Sequence, residues 1–437
     1  MFGPLAVLLS ACAIGGVNAQ CATVPVPENR ALADGPQIAL RVAVLPATDR
    51  AHRRDDPLFY VTGGPGGVAY DQVPGIAQAF ASVNTHRDIV FVDQRGVGGS
   101  GPFSCQTATG LTDVAALVRD CLGQLTVDVT HYRTVDAADD LDAVREALGY
   151  ARIDLYGISY GATFAQVFVR RHPASVRSVV LDGATLLDIP VFERWSSSGQ
   201  RALDLLHRRC HADKACAKAF PRWYERFPAL LAKLAKKPVQ TQGVTVDAAA
   251  AAGAVHELSA STGGAAAVPY LLAKAEGGTY RPLAAAVKAV SISLPLMYLA
   301  ITCTEPWAAQ DPARVAADAN GSYLTYSFLP SVAARTQVCG VWPKVDTSAE
   351  DWSRVRSNVP VLALVGGADP KDPPRNVAGI TGAMPNAKVV VVPGGGHGVA
   401  ALGCLPRVMD DFLEVGTARG LDTSCVSLTP LPAFKLH

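Results

Sequence analysis

The sequence predicts an α/β fold with a mostly parallel sheet, helices on both faces and an inserted, mainly helical segment. Short continuous apolar runs recur along the chain, and segments with helical periodicity lie between them. The apolar runs disappear between about residues 190 and 346, which indicates the insertion. The chain has 437 residues, of which 49% are apolar, and this is enough for a large core.

The apolar runs are rich in Val, Ile and Leu, as expected for strands that are buried on both faces. The predicted strands are Ile38–Leu45, Leu58–Val61, Ile89–Val92, Ile153–Tyr156, Val176–Leu181, Val361–Val365 and Val389–Val392. Two helices are predicted between them, at Ala137–Leu148 and Ala162–Arg171. Asp136 and Gly149 are suited to the two ends of the first helix.

The insertion, called the cap below, contains helical patterns at Gly199–His207, Trp223–Lys236 and Pro282–Val290. The sheet pattern resumes after Pro360. The predicted division is a targeting segment over 1–19, a core over 20–189, the cap over 190–346 and the rest of the core over 347–437.

The N-terminus allows three interpretations. Leu5–Ile14 is apolar and too short to span a bilayer, and Val17–Ala19 offers small residues for a signal peptidase to cut before Gln20. Alternatively, Leu9–Cys12 resembles a bacterial lipobox, which would leave Cys12 as a lipidated N-terminus. Both predict export to the periplasm or the extracellular space. The third interpretation is a hydrophobic N-terminal strand or helix.

The ten cysteines also favour an exported protein, because disulfides persist in oxidising compartments. Their spacing is not that of a zinc site. Proximity in sequence predicts the pairs Cys105–Cys121, Cys210–Cys216, Cys303–Cys339 and Cys404–Cys425. Cys21 is then left over, either as a free thiol or because one of these pairs is incorrect.

The charge balance excludes some classes of partner. A formal net charge of +1 gives no reason to expect nucleic acid or an anionic membrane as partner. No segment of the sequence predicts a transmembrane helix. The sequence does not predict an oligomeric state.

The strongest candidate for chemistry is Ser159 in the sequence Gly157–Gly161, which follows a predicted strand and opens a helix. A serine at a sharp strand-to-helix turn exposes its hydroxyl, and flanking glycines avoid clashes in so tight a turn. The alternative is an ordinary glycine-rich turn. A nucleophilic serine also needs a base, and His397 lies in a glycine-rich loop directly after a late strand.

An acid that orients His397 is predicted from the order of the residues along the chain. Asp369 follows the strand Val361–Val365 in a tight loop, where an Asp is often only a turn residue. However, Ser159, Asp369 and His397 follow the order nucleophile, acid, base of the α/β-hydrolase fold. Asp372 is the alternative acid.

Acyl transfer further requires donors for an oxyanion. The backbone N–H of Tyr160 is one candidate. The other comes from Gly63–Gly67, in which Pro65 has no N–H; Gly63, Gly64 and Gly66 remain, and we favour Gly64. The mechanism needs no metal and no organic cofactor.

With these motifs the chain resembles the α/β-hydrolase peptidase family of proline iminopeptidase and the secreted tripeptidyl aminopeptidases. The matching segments are Gly63–Gly67, Asp93–Ser100, Gly157–Gly161, Leu181–Gly183, the Asp369 loop, His397, Cys303–Glu305 and Cys339–Trp342. Thr62 stands where proline iminopeptidases often have His, which favours the tripeptidyl branch.

The resemblance implies an aminopeptidase whose cap carries acidic side chains that hold the substrate ammonium. Glu305 is the candidate by its motif; the alternative is a surface glutamate beside a disulfide. The expected partner is a peptide with a free N-terminus. An esterase or lipase using the same triad is the second hypothesis, and a non-catalytic binding protein is the third.

Overall fold

The computed structural model describes residues 7–103, 105, 113–290, 296–347 and 352–437. A nine-stranded sheet runs through the described core in the order β1-β2-β3-β5-β4-β6-β7-β10-β11. Its strands are β1 Ser10–Ile14, β2 Val17–Pro27, β3 Gln37–Leu45, β4 Leu58–Val61, β5 Ile89–Val92, β6 Ile153–Ile158, β7 Val176–Asp182, β10 Val361–Gly366 and β11 Ala387–Val392. The pairs from β5 to β11 are parallel, whereas β1, β2 and β3 pair antiparallel. The predicted α/β fold is confirmed.

Both faces of the sheet are covered, which explains the continuous apolar runs. In β4, Phe59 and Val61 belong to one apolar cluster, while Leu58 and Tyr60 belong to the cluster on the opposite face. The helices are α1 Val73–Ala79, α2 Ala81–His86, α3 Val114–Leu122, α4 Thr134–Ala147, α5 Tyr160–Arg171, α6 Trp195–Ala212, α7 Lys214–Ala219, α8 Trp223–Lys236, α9 Ala248–Ser259, α10 Thr262–Glu276, α11 Arg281–Val290, α12 Leu296–Thr302, α13 Pro312–Ala319, α14 Thr325–Val341 and α15 Leu405–Val415. Helices α4 and α5 contribute to the first cluster, and α1, α2 and α15 contribute to the second.

Part of the predicted targeting segment over 1–19 lies in the sheet. Strand β1 pairs with β2, and Cys12 forms a disulfide with Cys21. Ile14 and Ala19 are buried in the second apolar cluster. Residues 10–19 therefore extend the sheet, and this matches the strand interpretation of the apolar run. A lipid thioether on Cys12 is incompatible with this disulfide, and Cys21 is not left over.

The other cysteines pair as predicted. The disulfides Cys105–Cys121, Cys210–Cys216, Cys303–Cys339 and Cys404–Cys425 are all present. Cross-links of this kind restrict the unfolded chain and favour the folded state.

Helices α6 to α14 come from the predicted cap region. Helices α6 to α11 pack around an apolar cluster of their own, whereas the buried residues of α12 belong to the first core cluster. The cluster of α6 to α11 includes Trp223, Phe227 and Leu231 of α8. It also includes Phe434 from the C-terminal tail, so the tail packs on the cap as well as on the core. The sequence did not predict a short antiparallel hairpin, β8 Val239–Thr241 with β9 Val244–Val246. Within the described residues, no helix is long and apolar enough to cross a membrane.

Candidate active site

Ser159 occupies a strained turn between β6 and α5. Its φ of +58° is in the left-handed region that non-glycine residues rarely adopt. The turn is tight, because a Cβ on Gly157 would lie 2.2 Å from the carbonyl oxygen of Gly161. A Cβ on Gly161 would in turn lie 2.2 Å from the carbonyl oxygen of Val61. The two glycines are therefore required by the geometry, as the sequence predicted.

His397 and Asp369 form a hydrogen-bonded pair. The His397 Nδ1 lies 2.9 Å from the Asp369 Oδ2. The Asp369 Oδ1 accepts hydrogen bonds from the backbone N–H groups of Lys371 and Asp372, at 2.8 and 2.9 Å. Asp372 Oδ2 is farther from the imidazole, at 3.7 Å, and its Oδ1 accepts a hydrogen bond from Thr185. The closer carboxylate is therefore Asp369.

The pair is electrostatically coupled. Burial lowers the pKa of His397, but the negative charge and hydrogen bond of Asp369, with a further contribution from Asp372, raise it to about 8. Burial disfavours the Asp369 carboxylate, yet His397 and the two backbone donors lower its pKa below the usual range. Burial raises the pKa of Asp372 to about 6. Asp369 thus carries the negative charge that stabilises an imidazolium at position 397.

Ser159 and His397 line one cavity of about 590 Å³ between the core and the cap. The remaining walls come from the glycine-rich loop after β4, from the acid loop and from the cap. These lining residues include Thr62, Gly63, Gly64, Gly66, Gln72, Ile158, Trp195, Glu257, Tyr298 and Lys371. A cavity of this size can hold a peptide segment or another acyl substrate.

The glycine-rich loop contacts the nucleophile turn. A Cβ on Gly63 would lie 2.9 Å from the Cβ of Ser159, so the backbone of the loop packs directly on the serine. Gly64 has a φ of +124°, a conformation that glycine adopts without strain, and it lines the same cavity. Tyr160 follows Ser159 at the first turn of α5. The structure thus places Gly64 in the lining of the cavity that contains Ser159, and the role of the Gly64 and Tyr160 N–H groups as oxyanion donors stays a prediction.

Glu305 lies elsewhere, and its predicted role in substrate binding is wrong on geometric grounds. Its side chain is 2% exposed and is not among the residues that line the Ser159 cavity. It accepts hydrogen bonds from the backbone and hydroxyl of Thr134 at 2.6 and 2.7 Å, and from Trp307 Nε1 at 2.6 Å. The alternative of a surface glutamate is wrong as well. Glu305 binds the backbone N–H at the start of α4, which begins at Thr134. The sequence had suggested Asp136 as the residue at the start of this helix.

The Glu305 network reaches the nucleophile helix. The hydroxyl of Thr134 is also 2.9 Å from that of Tyr160. The Tyr160 and Trp307 rings stack with centroids 5.9 Å apart. Glu305 is thus connected to Tyr160, the residue after the nucleophile, through Thr134 on one side and Trp307 on the other.

The carboxylate that does line the cavity is Glu257 of α9, which the sequence did not indicate. Its Oε2 lies 2.8 Å from the Nζ of Lys371, and this ion pair joins the cap to the acid loop. The Lys371 charge lowers the pKa of Glu257 despite its burial. The same Nζ is 5.8 Å from the centroid of the Trp195 ring. No motif precedes Glu257, and a helical glutamate in a cap is usually a solvated residue, so only the tertiary fold reveals it.

Comparisons with known proteins identify the family of the chain. The chain matches the alpha/beta hydrolase fold family over residues 56–402. It is 30% identical over 253 residues to Carboxylesterase B of Mycobacterium tuberculosis, covering 51% of this chain and 48% of that protein. It is 30% identical over 186 residues to a tripeptidyl aminopeptidase of Streptomyces lividans, covering 37% of this chain and 35% of that protein.

The matched regions thus span about half or less of the length of these curated relatives. Among solved structures, proline iminopeptidase of Mycobacterium smegmatis aligns with a TM-score of 0.41 at 17% identity, covering 90% of this chain and 98% of that one. The family match over residues 56–402 includes Ser159, Asp369 and His397. The chain belongs to the alpha/beta hydrolase fold family.

Proposed function

We propose that the protein is an exported serine aminopeptidase that hydrolyses peptides from a free N-terminus through an acyl-serine intermediate. One observation carries this proposal: Ser159, His397 and Glu257 line a single cavity, and His397 is hydrogen-bonded to the buried Asp369 behind it. The triad supplies the acyl transfer, and the carboxylate supplies a site for an ammonium group.

In this mechanism His397 removes the proton of the Ser159 hydroxyl as the oxygen attacks the scissile carbonyl. The backbone N–H groups of Tyr160 and Gly64 stabilise the oxyanion. Imidazolium formed on His397 is stabilised by Asp369 and then protonates the leaving amine. Water, activated by the same histidine, hydrolyses the ester to Ser159. Every step uses protein groups and water alone.

Glu257 replaces Glu305 as our candidate for binding the substrate ammonium. The Lys371 ammonium supports this choice, because its Nζ lies 2.8 Å from the Glu257 carboxylate and 5.8 Å from the centroid of the Trp195 ring. We propose that the N-terminus of a peptide displaces the Lys371 side chain and takes over these two contacts. Lys371 then acts as a competitor that a substrate with a free amine must displace.

Replacing Glu257 by Gln is expected to raise KM about 10- to 100-fold for a peptide amide with a free N-terminus, because one charged hydrogen bond is lost. The same substrate with an acetylated N-terminus should show little change, since it carries no ammonium. Steady-state kinetics on the two substrates measure both effects.

Two variants control this experiment. Glu276→Gln changes a surface glutamate of the cap that pairs with Arg226, and it should leave both substrates unaffected. Lys371→Met removes the competitor and should lower KM for the free amine, which is the opposite sign. Equal changes for the free and acetylated peptides in Glu257→Gln would contradict the ammonium site.

Activation of Ser159 should depend on pH through His397. Only neutral imidazole accepts the serine proton, and the pKa of His397 is raised to about 8. The rate should therefore rise with pH and reach half its maximum near pH 8. The rate of fluorophosphonate labelling is the appropriate measurement, because a substrate ammonium also titrates near this pH. A midpoint at the ordinary histidine value of about 6.5 would contradict the coupling.

A carboxylesterase is the second candidate, and the similarity to Carboxylesterase B supports it. The triad does not discriminate, because both reactions proceed through an acyl-serine. A higher kcat/KM on uncharged short-chain esters than on free-amine peptide amides would favour the esterase. Failure of the protein to react with a fluorophosphonate would instead favour a non-catalytic role.

The proposed export rests on the disulfides. All ten cysteines are paired in five disulfides, and such a set is typical of oxidising compartments. Fractionation of the natural host, with thiol labelling before and after reduction, tests this part of the proposal.

A further inference from the structure

Strand β7 ends at a carboxylate that the mechanism above does not use. In the sheet register Asp182 lies opposite Ile158 of β6 on one side and Leu364 of β10 on the other. It thus stands between the strand that leads to the nucleophile and the strand that leads to the acid. Its side chain is 0% exposed. Because burying a carboxylate is costly, its hydrogen-bond partners indicate its role.

The Asp182 carboxylate is held by the loop that follows His397. The backbone N–H of Val399 donates to Oδ1 at 2.8 Å, and that of Ala400 donates to Oδ2 at 2.9 Å. The hydroxyl of Tyr156, on β6, donates to Oδ2 at 2.8 Å. Hydrogen bonds to an ionised carboxylate are stronger than neutral ones, so the loop is firmly fixed next to its histidine.

The backbone of the same segment contacts the two reacting residues. The carbonyl oxygen of Asp182 accepts the Ser159 N–H at 2.9 Å. Gly183 follows with a φ of +61°, and a Cβ at this position would lie 3.1 Å from both Cε1 and Nδ1 of His397. The imidazole therefore packs against the Gly183 backbone. One short segment contacts both the serine turn and the histidine ring.

We propose that Asp182 is a positioning residue that sets the placement of His397 relative to Ser159, with its carbonyl bound to the serine turn and its carboxylate bound to the histidine loop. This inference rests on the proposed serine-hydrolase mechanism but not on the choice between peptide and ester. Without the carboxylate, the loop loses its anchor and the imidazole is no longer held within reach of the serine hydroxyl. The expected defect is thus in activation of Ser159 rather than in substrate binding.

Besides positioning His397, the Asp182 carboxylate also affects the pKa of that histidine through its charge. Burial raises the pKa of Asp182 overall, while the charge of His397 acts in the opposite direction and lowers it. Because such coupling is reciprocal, the Asp182 carboxylate in turn stabilises the imidazolium form of His397. The charged and titratable groups around His397 are Asp369, Asp372 and Lys371 from the acid loop, Asp182 from β7, and His256 and Glu257 from the cap. Neutralising Asp182 should therefore shift the acid limb of the rate profile to lower pH.

The test is the second-order rate constant for fluorophosphonate labelling of Asp182→Asn. We expect labelling to be about 10- to 100-fold slower, with an acid limb at lower pH and an unchanged KM on substrate. The matched control is Asp188→Asn, which removes an exposed carboxylate that pairs with Arg354 just after the same strand. It should label at the wild-type rate.

Wild-type labelling by Asp182→Asn, or a loss fully explained by a smaller folded fraction in thermal melts, would overturn the inference. If the Asn variant does not fold, Tyr156→Phe removes a single donor to the carboxylate. It should label several-fold more slowly with its fold intact, and a wild-type rate would also overturn the inference. A wild-type protein that does not label at all would contradict the proposed function instead.

Discussion

Replacing Ser159 by Ala is expected to reduce kcat for amide hydrolysis by on the order of 10⁴-fold or more, since the acyl-enzyme can no longer form. The neighbouring Tyr160 hydroxyl cannot take its place, because it is buried, lies 2.9 Å from the hydroxyl of Thr134 and is not among the groups that line the cavity. KM should change much less, because the cavity walls stay in place. The measurement is kcat on a fluorogenic peptide amide, together with the mass increase on fluorophosphonate treatment.

Ser427→Ala serves as the control, because Ser427 is exposed and bonds only locally to the Ser424 carbonyl. It should retain wild-type kcat and a single fluorophosphonate adduct. Hydrolysis that persists at the wild-type rate in Ser159→Ala would exclude Ser159 as the nucleophile.

Replacing Asp369 by Asn is expected to lower kcat about 10⁴-fold. The Asn amide donates toward Nδ1 of His397, which moves the ring proton to Nε2. The nitrogen that must accept the serine proton is then occupied. The fold should be retained, since Asn can still accept the backbone N–H groups of Lys371 and Asp372.

Asp372→Asn is the matched comparison, because it neutralises a second buried carboxylate 3.7 Å from the same imidazole nitrogen. Its expected effect on kcat is less than about tenfold. The Asp372 charge helps to raise the pKa of His397, but the hydrogen bonds of Asp372 do not orient the imidazole ring. If Asp372→Asn were the more damaging of the two, the acid would have to be reassigned to Asp372.

The sheet and the positions of Ser159, Asp369 and His397 were predictable because their sequence signals are local. Buried strands such as Leu58–Val61 are short apolar runs, and the structure gives this strand the same ends. Ser159 sits in a turn that requires glycines on both sides. The histidine and the acid each follow a strand in a loop rich in glycine, and their order along the chain distinguishes them from turn residues.

The N-terminus shows where local signals become ambiguous. A short apolar run is compatible with a signal segment and with an edge strand, and no residue within it decides between them. In the structure this run forms strand β1, which pairs with β2 and carries the Cys12–Cys21 disulfide, and the targeting role of residues 1–19 stays a prediction. The hairpin in the cap was missed for a related reason: its strands have three residues each, and its turn at Gln242–Gly243 lacks the usual Asn-Gly signal.

The proposed ammonium site depends on tertiary packing, and the sequence pointed to a different glutamate. Glu305 was chosen by its motif, but its burial among Thr134 and Trp307 follows from how the cap returns to α4. Glu257 belongs to a helix with no distinguishing sequence pattern, and it lines the cavity next to Lys371, with which it forms an ion pair across the fold. Such a residue is difficult to identify from sequence when the groups that surround it, here Lys371 for Glu257, come from distant parts of the chain.

The most direct test of the proposed aminopeptidase is kcat/KM on one tripeptidyl fluorogenic amide with its N-terminus free and then acetylated, with Ser159→Ala as the blank. We expect a strong preference for the free amine, on the order of 10-fold or more, from the charged contact with Glu257. Equal rates on the two amides, or no hydrolysis of either, would contradict an ammonium-anchored aminopeptidase and would direct attention to esters as the substrates of Ser159.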